Sequence, residues 1–452
     1  MRRTEKKMRD EKNCGFFPGR MVMGGIFVLM SVFLFSPLFA AETLRLEDAI
    51  AEALSRNPDI QVARGEEEIS SNNVHIGNAG LLPRIDLAGT VSYQDNEEAL
   101  STGLREFTST SASLQASYTL FDGFGNIYTF KKLKSAGRLG RLGARNAIEG
   151  IILQVAEAYY RLAAASAALD VARAALAMSE ERLKRARLRS DYGQANSLEV
   201  LSATVDANAD SVAWKEASLA KSNANRTLNL LLNRPVEAEY SIESAVVFER
   251  ELKADAFLQK ARQVYSEYLS ARESVKQAEY DLAIARSDFF PELGVQVGYG
   301  YSNTVEGFKP GTDDLSGAFS AALTLNLNLF NGFQSSIRSQ NARISLRNKK
   351  LLEQKALSDL EKLVADTWDE YRNALDVFDF QKKNQETAEL NFRRSKELYV
   401  LGQLTSTAFR EAQLNLINAK KSISSAAYNA RILELRLKRL SGELVEDVDG
   451  ES

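Results

Sequence analysis

Apolar and polar residues alternate from Phe319 to Leu329. Phe319, Ala321, Leu323, Leu325, Leu327 and Leu329 fall on one side, and Ser320, Ala322, Thr324, Asn326 and Asn328 on the other. A period of two predicts a β-strand with unlike faces, here from about 317 to 330. A partner strand is expected over about 292–302, where Leu293, Val295, Val297, Tyr299 and Tyr301 alternate with Gly and Gln. Two further strands are expected in the first half. Ile85, Leu87, Val91 and Tyr93 mark one over about 84–94, and Leu114, Ala116, Tyr118 and Leu120 another over about 108–121. Tilted strands of this length are long enough to cross a bilayer. A soluble sandwich would alternate too. Aromatic strand ends and second faces rich in Ser, Thr, Asn, Gln and Gly favour a lipid-facing barrel.

Between the strand pairs the apolar period changes to seven. Ile148, Val155, Leu162, Leu169, Leu176 and Leu183 form one seam, and Ile151, Ala158, Ala165, Ala172, Ser179 and Ala186 a smaller one. This heptad pattern predicts long packed helices with one large and one small layer. Leu357, Val364, Tyr371 and Phe378 repeat it in the second half. A helix running from Asn126 to about Arg189 would extend on the order of 95 Å at ~1.5 Å per residue, longer than a compact domain allows.

The halves echo each other at short motifs. "LFDGF" at Leu120–Phe124 answers to "LFNGF" at Leu329–Phe333, and the Gly-Gln pairs at Gly193 and Gly402 have the same 209-residue offset. "LLP" ending at Pro83 and "FFP" ending at Pro291 keep nearly that offset. The chain therefore reads as an internal tandem duplication, with units at 41–248 and 249–452. Pro83 and Pro291 are expected to end a helix and start a strand, because proline lacks a donor and clashes with the preceding turn. Gly123 and Gly332 are expected where a strand becomes a helix, with Asp122 or Asn331 capping its first turn. Phe121, Phe124, Phe330 and Phe333 are expected at the membrane–water boundary, where aromatics are favoured. The expected fold is mainly α with a membrane β-barrel: a long helical coiled-coil tunnel plus four barrel strands per chain.

Composition adds an address. A basic front of seven Lys and Arg precedes an apolar run from Met21 to Phe39, followed by Ala40 and Ala41. This is the pattern of a secretory signal peptide over 1–40, with cleavage after Ala40 or Ala41; the alternative is a retained anchor. Cleavage would remove Cys14, the one cysteine, so no disulfide or Cys-bound metal is expected. The remaining chain holds 50 basic and 57 acidic side chains, a balance that gives no hint of nucleic-acid binding. Catalysis is not expected either. His75 is the single histidine and has no Asp or Cys at motif spacing. Most carboxylates lie at helical spacing from Lys or Arg and read as solvated faces. No cofactor site is apparent.

In this ordered set of features, the duplication, the proline–strand junctions, "FDGF" and "FNGF", the small-residue heptads and the turns "YGQANSLEVLSA" and "LGQLTSTAFREAQ", the chain resembles the TolC family of outer-membrane efflux ducts over nearly all of residues 44–442. The resemblance implies a homotrimer whose twelve strands form one barrel in the outer membrane of a Gram-negative bacterium, continued by a helical tunnel in the periplasm. It implies a periplasmic adaptor (membrane fusion) protein and an inner-membrane pump of RND or ABC type as partners, in drug or metal efflux or in type I secretion. Four strands in one chain cannot close a conducting barrel, and open edges are not tolerated in lipid. The family's best-known member carries two constriction aspartates six and nine residues after the second turn's glycine. Here those positions are Ala408 and Glu411, and the basic residue two after the glycine is Leu404. Tyr399 and Glu199 match the family's tyrosine and acidic partner. The expected gate is thus Glu199, Glu411 and Tyr399, and the expected adaptor-docking tip is Gly193, Ala195, Gly402 and Ser406. A periplasmic coiled-coil scaffold without conduction is the competing reading; it would have no use for four lipid-facing strands.

Overall fold

The computed structural model describes residues 43–96, 105–193, 196–243, 246, 248–250, 254–311 and 316–444. The expected leader over 1–40 and the tip residue Ala195 lie outside them. In chain order the elements are β1 (Thr43–Leu44), α1 (Leu46–Arg56), α2 (Pro58–Asn72), β2 (Arg84–Asp95), β3 (Glu106–Asp122), α3 (Gly125–Asp191) and α4 (Ser197–Leu231). There follow β4 (Ser241–Ile242), α5 (Ala254–Val264), α6 (Ser266–Ser287), β5 (Glu292–Glu306), β6 (Ser316–Asn326), α7 (Gln334–Val400) and α8 (Ser406–Ser441). α3 and α7 have 67 residues each, about 100 Å at ~1.5 Å per residue.

β2, β3, β5 and β6 form one antiparallel sheet in that order. The register aligns like faces across all four strands. Leu87 is opposite Leu114, Leu114 opposite Tyr299, and Tyr299 opposite Phe319; in the next row Ile85, Ala116, Val297 and Ala321 line up. The result is one apolar face that is exposed in the single chain, with Leu87 at 79% and Leu323 at 68%. The opposite face presents Ser111, Ser113, Gln115, Gln296, Ser320 and Ala322 around a shallow groove. Near the loop end of the sheet, the Tyr299 and Tyr301 rings meet edge to face at 5.2 Å. They lie over Gly317, where a Cβ would come within 2.8 Å of the Tyr299 hydroxyl.

β6 stops at Asn326, short of the expected 330. Alternation continues through Leu327 and Leu329, but β5, which supplies the hydrogen-bonding partners, begins at Glu292 directly after Pro291. A strand without a partner loses its ladder. Pro83 behaves differently from expectation. α2 has already ended at Asn72, and a run of turns through Gly80 intervenes before β2 begins at Arg84, just after the proline. Pro291 follows the end of α6 at Ser287 after three residues.

The β3–α3 junction is abrupt, whereas seven residues separate β6 from α7. Gly123 and Phe124 both have left-handed backbones (φ 66° and 69°), as do Gly332 and Phe333 (64° for each). A left-handed conformation is costly for a phenylalanine. In each half it is braced by an edge-to-face ring pair, Phe121–Phe124 at 5.3 Å and Phe330–Phe333 at 5.4 Å. Asp122 Oδ2 accepts from the Asn126 amide at 2.6 Å, satisfying a first-turn donor. The second half does this less well: the Ser335 amide reaches Asn331 Oδ1 at 3.5 Å.

Below the sheet α3 packs between α2 and α6, and further on between α4 and α8; α7 packs on α6 and then α8. Two cores mark the changeover. In one, α1 and β1 cover Ile152, Val155, Tyr159 and Leu162 of α3, and Tyr159 donates to the Leu44 carbonyl at 2.9 Å. In the other, α5 covers Val364 and Tyr371 of α7, with Trp368 against Phe257. α3 includes an 18-residue window of mean hydropathy 1.3, apolar and long enough by composition to cross a membrane. Its buried residues from Ile151 to Ala163 nevertheless belong to the first core. Past it, the buried stripe of α3 is mostly small, with Ala172, Ala175, Ser179 and Ala186 beside Leu169 and Arg182.

Where α2 meets α3, side chains are excluded. A Cβ on Gly137 would come within 2.7 Å of Val74 Cγ2, and one on Gly140 would strike Ser70, whereas Gly143 faces open space. Gly140→Ala is expected to lower stability by about 1–3 kcal/mol through overpacking. Gly143→Ala is expected to raise it by about 0.5–1 kcal/mol through reduced backbone freedom in the unfolded chain. Denaturant unfolding of the two variants should therefore move in opposite directions; a common direction would mean that α2 does not seat on α3 as described.

Candidate functional site

The long helices reverse at two turns, α3 to α4 and α7 to α8. At the first, Gly193 takes φ 68°, and Asn196 caps α4 by accepting from the Glu199 amide at 3.0 Å. At the second, Gly402 takes φ 72°, its amide reaches the Tyr399 carbonyl at 3.1 Å, and the Gln403 amide reaches the Leu398 carbonyl at 2.9 Å. Thr405 caps α8, accepting from the Ala408 amide at 3.2 Å. Gly402 is glycine for backbone reasons, since a Cβ there would meet no atom within 4 Å. Ser406 is the first residue of α8.

Between the turns lies a cleft of about 640 Å³. Of the residues singled out from sequence, Glu199, Tyr399, Gly402 and Ser406 line it together; Gly193 and Glu411 do not. Glu199 is held by Arg189 at 3.3 Å. Tyr399 stacks on Phe409 with ring centres 4.7 Å apart and planes within 4° of parallel, and Phe392 stacks on the other side of that cluster at 5.6 Å. Glu411 is exposed on α8.

The strongest interactions at this end involve residues that the sequence pattern does not single out. Arg410 forms a forked pair with Asp210 of α4, Nη1 to Oδ2 at 2.6 Å and Nη2 to Oδ1 at 2.7 Å. It also approaches Asp206 at 3.7 Å, and Asp206 in turn is bonded by Arg182 of α3. Arg182 and Asp210 have side chains only 2% and 8% exposed. The hydrogen bonds that Arg410 donates to Asp210 hold its pKa above its usual value, against the opposing effect of burial. These are buried charges joining three helices, not the solvated faces expected of helical-spacing carboxylates. Their signal is invisible to local spacing because Arg410 and Asp210 are 200 positions apart. Such a cluster is costly to desolvate, and removal of one member strands the others. It therefore favours one arrangement of α3, α4 and α8 more than it adds to net stability.

Among the described residues there is no group of three or more His, Cys, Asp or Glu side chains suited to a metal ion. His75 is exposed, and its Nδ1 accepts from the Gly77 amide. The arrangement offers a hinge-like pair of turns, a charged clamp and a cleft.

Similarity to known proteins agrees with this geometry. The solved structure of the Campylobacter jejuni CmeC outer membrane channel superimposes with a TM-score of 0.76 at 17% identity, covering 90% of this chain and 89% of that one. The probable outer membrane lipoprotein SilC of Salmonella typhimurium is 22% identical over 409 residues, 88% of this chain and 86% of its own. The outer membrane protein TolC of Escherichia coli K12 is 23% identical over 435 residues, 93% of this chain and 86% of its own. The model of the family described as outer membrane efflux protein matches residues 49–234 and again 257–443. Matched twice along most of its length, the chain belongs to the outer membrane efflux protein family.

Proposed function

We infer that this protein is the outer-membrane duct of an efflux pump in a Gram-negative bacterium, spanning the outer membrane and extending into the periplasm. The observation that carries this reading is the four-stranded sheet with one continuous apolar face, followed in each half by a helix about 100 Å long. The chain conducts rather than catalyses. A scaffold that only tethers would not need that face.

The finer reading is a homotrimer. The sheet has two free edges, β2 and β6, and in lipid each unpaired amide or carbonyl costs several kcal/mol. Three copies joined edge to edge would close a twelve-stranded barrel with its apolar face in outer-membrane lipid. α4 supports assembly as well: Leu198, Val205, Val212 and Leu219 recur every seven residues and are all more than half exposed in the single chain. The double family match supports an origin by tandem duplication.

The turns at Gly193 and Gly402 would form the periplasmic tip, where a periplasmic adaptor docks and hands over cargo from an inner-membrane pump of RND or ABC type. Gly193, Ala195, Gly402 and Ser406 are the small residues that allow close approach. Inside the tip, Glu199, Glu411 and Tyr399 would ring the narrowing bore, where threefold rows of carboxylates favour cations. The Arg410–Asp210 clamp would hold α8 against α4 in the closed state. Relatives carry names as different as "Cation efflux system protein CusC" and "Toluene efflux pump outer membrane protein TtgC", so cargo choice is assigned to the pump. Secretion of a protein through the same duct would use the same geometry.

Three outcomes test this. Because β6 spans Ser316–Asn326, its middle on the apolar face is near Ala321 and Leu323. Leu323→Arg is expected to cost about 2–4 kcal/mol in barrel stability and Thr324→Arg, on the other face, far less; heat resistance of the membrane-extracted oligomer reads this, and equal tolerance would remove the lipid assignment. Gly402→Trp and Gly402→Ala share the cost of a left-handed backbone and differ only in bulk, so efflux should fail in the first and largely survive in the second. Efflux intact in both would take docking away from this turn. Arg410→Gln is expected to raise single-channel conductance in planar bilayers, and the exchange Asp210→Arg with Arg410→Asp to bring it back down; Glu199→Ala with Glu411→Ala should weaken cation preference. Unchanged conductance and ion preference throughout would remove these residues from the gate.

A further inference from the structure

The stretches that open α3 and α7 share a charge pattern not used by the duct reading. From Gly123 to Ile148 the chain carries six basic residues and no acid, and from Gly332 to Leu352 five basic residues and no acid. On α3, Lys131, Lys134, Arg138, Arg141 and Arg145 follow one another at steps of three and four, which places them on a single face. On α7, Arg343, Arg347 and Lys350 do the same, at the positions 209 residues beyond Lys134, Arg138 and Arg141.

That face can be followed along each helix. Lys131, Arg138 and Arg145 precede Ile152 and Tyr159 at multiples of seven residues, and Ile152 and Tyr159 are covered by α1 and β1. Arg343 and Lys350 precede Val364 and Tyr371 at the same spacing, and Arg347 precedes Trp368; these three are covered by α5 and the segment before it. Within a closed tube α1, α5 and their strands would block the bore if they lay inside it. On the duct reading they therefore lie outside, and so do the basic faces.

Some of these cations are neutralised by the protein. Glu273, 7% exposed, accepts from Arg138 Nε and Ser135 Oγ at 2.7 Å and from Lys276 at 2.9 Å. Burial raises the cost of its charge, but these bonds outweigh it and hold its pKa below the usual carboxylate range. Arg141 reaches Glu67 at 3.4 Å, Lys350 reaches Glu279 at 3.9 Å and Lys132 reaches Asp281 at 2.6 Å. Lys131, Lys134, Arg343, Arg347 and Lys349 are exposed and have no carboxylate within ion-pair distance among the described residues. Lys131 and Lys134 rest on the rings of Tyr128 and Phe130 instead.

Resting on the duct reading, we propose that these two basic faces bind an anionic, carboxylate-bearing cell-wall polymer where the tube passes through it, so that the wall grips the duct just below the outer membrane. Depth separates this partner from lipid. The face of α3 runs from about 9 to 30 Å below the strand ends at ~1.5 Å per residue, and that of α7 from about 14 to 24 Å. The headgroup layer is only about 5–8 Å thick on each side of the bilayer, so most of these cations lie beneath it. A polymer strand running around the tube meets both faces of every subunit.

The test uses the full-length protein in neutral detergent, sedimented with purified sacculi. Wild type is expected to pellet with the sacculi and to be released by salt, since exposed charge contacts are screened. Changing Lys131, Lys134, Arg343, Arg347 and Lys349 together to Gln should weaken binding about tenfold or more, as should blocking the sacculus carboxylates by amidation. Thermal unfolding and bilayer conductance of the variant should match wild type, because none of the five has an ion-pair partner. A wild-type protein that conducts but does not pellet, a variant that pellets equally, or capture by phosphatidylglycerol vesicles in preference to sacculi would overturn the proposal and leave the duct standing. Loss of conductance in the wild type itself would strike the duct reading instead.

Discussion

A strand in lipid must find a hydrogen-bonding partner for every backbone amide and carbonyl, and this chain's sheet has two edges without one. That deficit organises the rest of the molecule. In the proposed trimer further copies meet it about an axis, and that axis would give the long helices a bore to enclose. The register through β2, β3, β5 and β6, interrupted by one irregularity between Thr119 and Phe121, keeps most of the large apolar side chains on one face and the polar ones on the other, with Phe107 an exception. The same logic explains why β6 ends where Pro291 halts its partner, although its own alternation runs on. Backbone pairing, not side-chain pattern, sets the length of a strand.

Much of this could be read from one-dimensional periodicity. Phe319, Ala321, Leu323 and Leu325 announce a two-faced strand because a pleat turns successive side chains to opposite faces. Ile151, Ala158, Ala172 and Ser179 announce a packed helix seam because heptad positions return to one face. The features that escaped depend on distance in space. α2 ends at Asn72 because of turn geometry at Val74–Gly80, and Pro83 only marks the start of the strand. Arg410 sits in an ordinary charged stretch, and nothing local reveals that Asp210 awaits it across two helices. Glu199 and Tyr399 were singled out through the family resemblance, and both line the cleft between the turns. Their partners, Arg189 and Phe409, were not, because an ion pair and a ring stack leave no periodic trace.

Helix packing near the turns combines two opposite strategies. Ala172, Ala175, Ser179 and Ala186 let α3 approach its neighbours closely, with little side-chain volume to lock the interface. Large apolar side chains lock α3 and α7 in the zone of Ile152, Tyr159 and Tyr371, where α1 and α5 wrap the long helices, and the Tyr399–Phe409–Phe392 stack joins α7 to α8 nearer the turn. The smooth section is held instead by the directional charges of Arg182, Asp206, Asp210 and Arg410. A smooth interface with a polar clamp can slide once the clamp lets go; an interlocked core cannot.

The two-residue junction at Gly123–Phe124 carries a mechanical consequence. A flexible linker between sheet and helix would act as a swivel, and twisting at one end would dissipate there. In the first half β3 ends at Asp122 and α3 starts at Gly125, so the strand passes into the helix through two left-handed residues braced by paired rings, and the coupling there is torsionally stiff. Any rotation of the helices near the sheet would have to rotate the strands, and strands laced together by hydrogen bonds resist that. α3 is thus anchored at its sheet end, and a small untwisting along its length of about 100 Å would become a large sideways displacement at the far end. That helix is built as a lever clamped where it leaves the sheet.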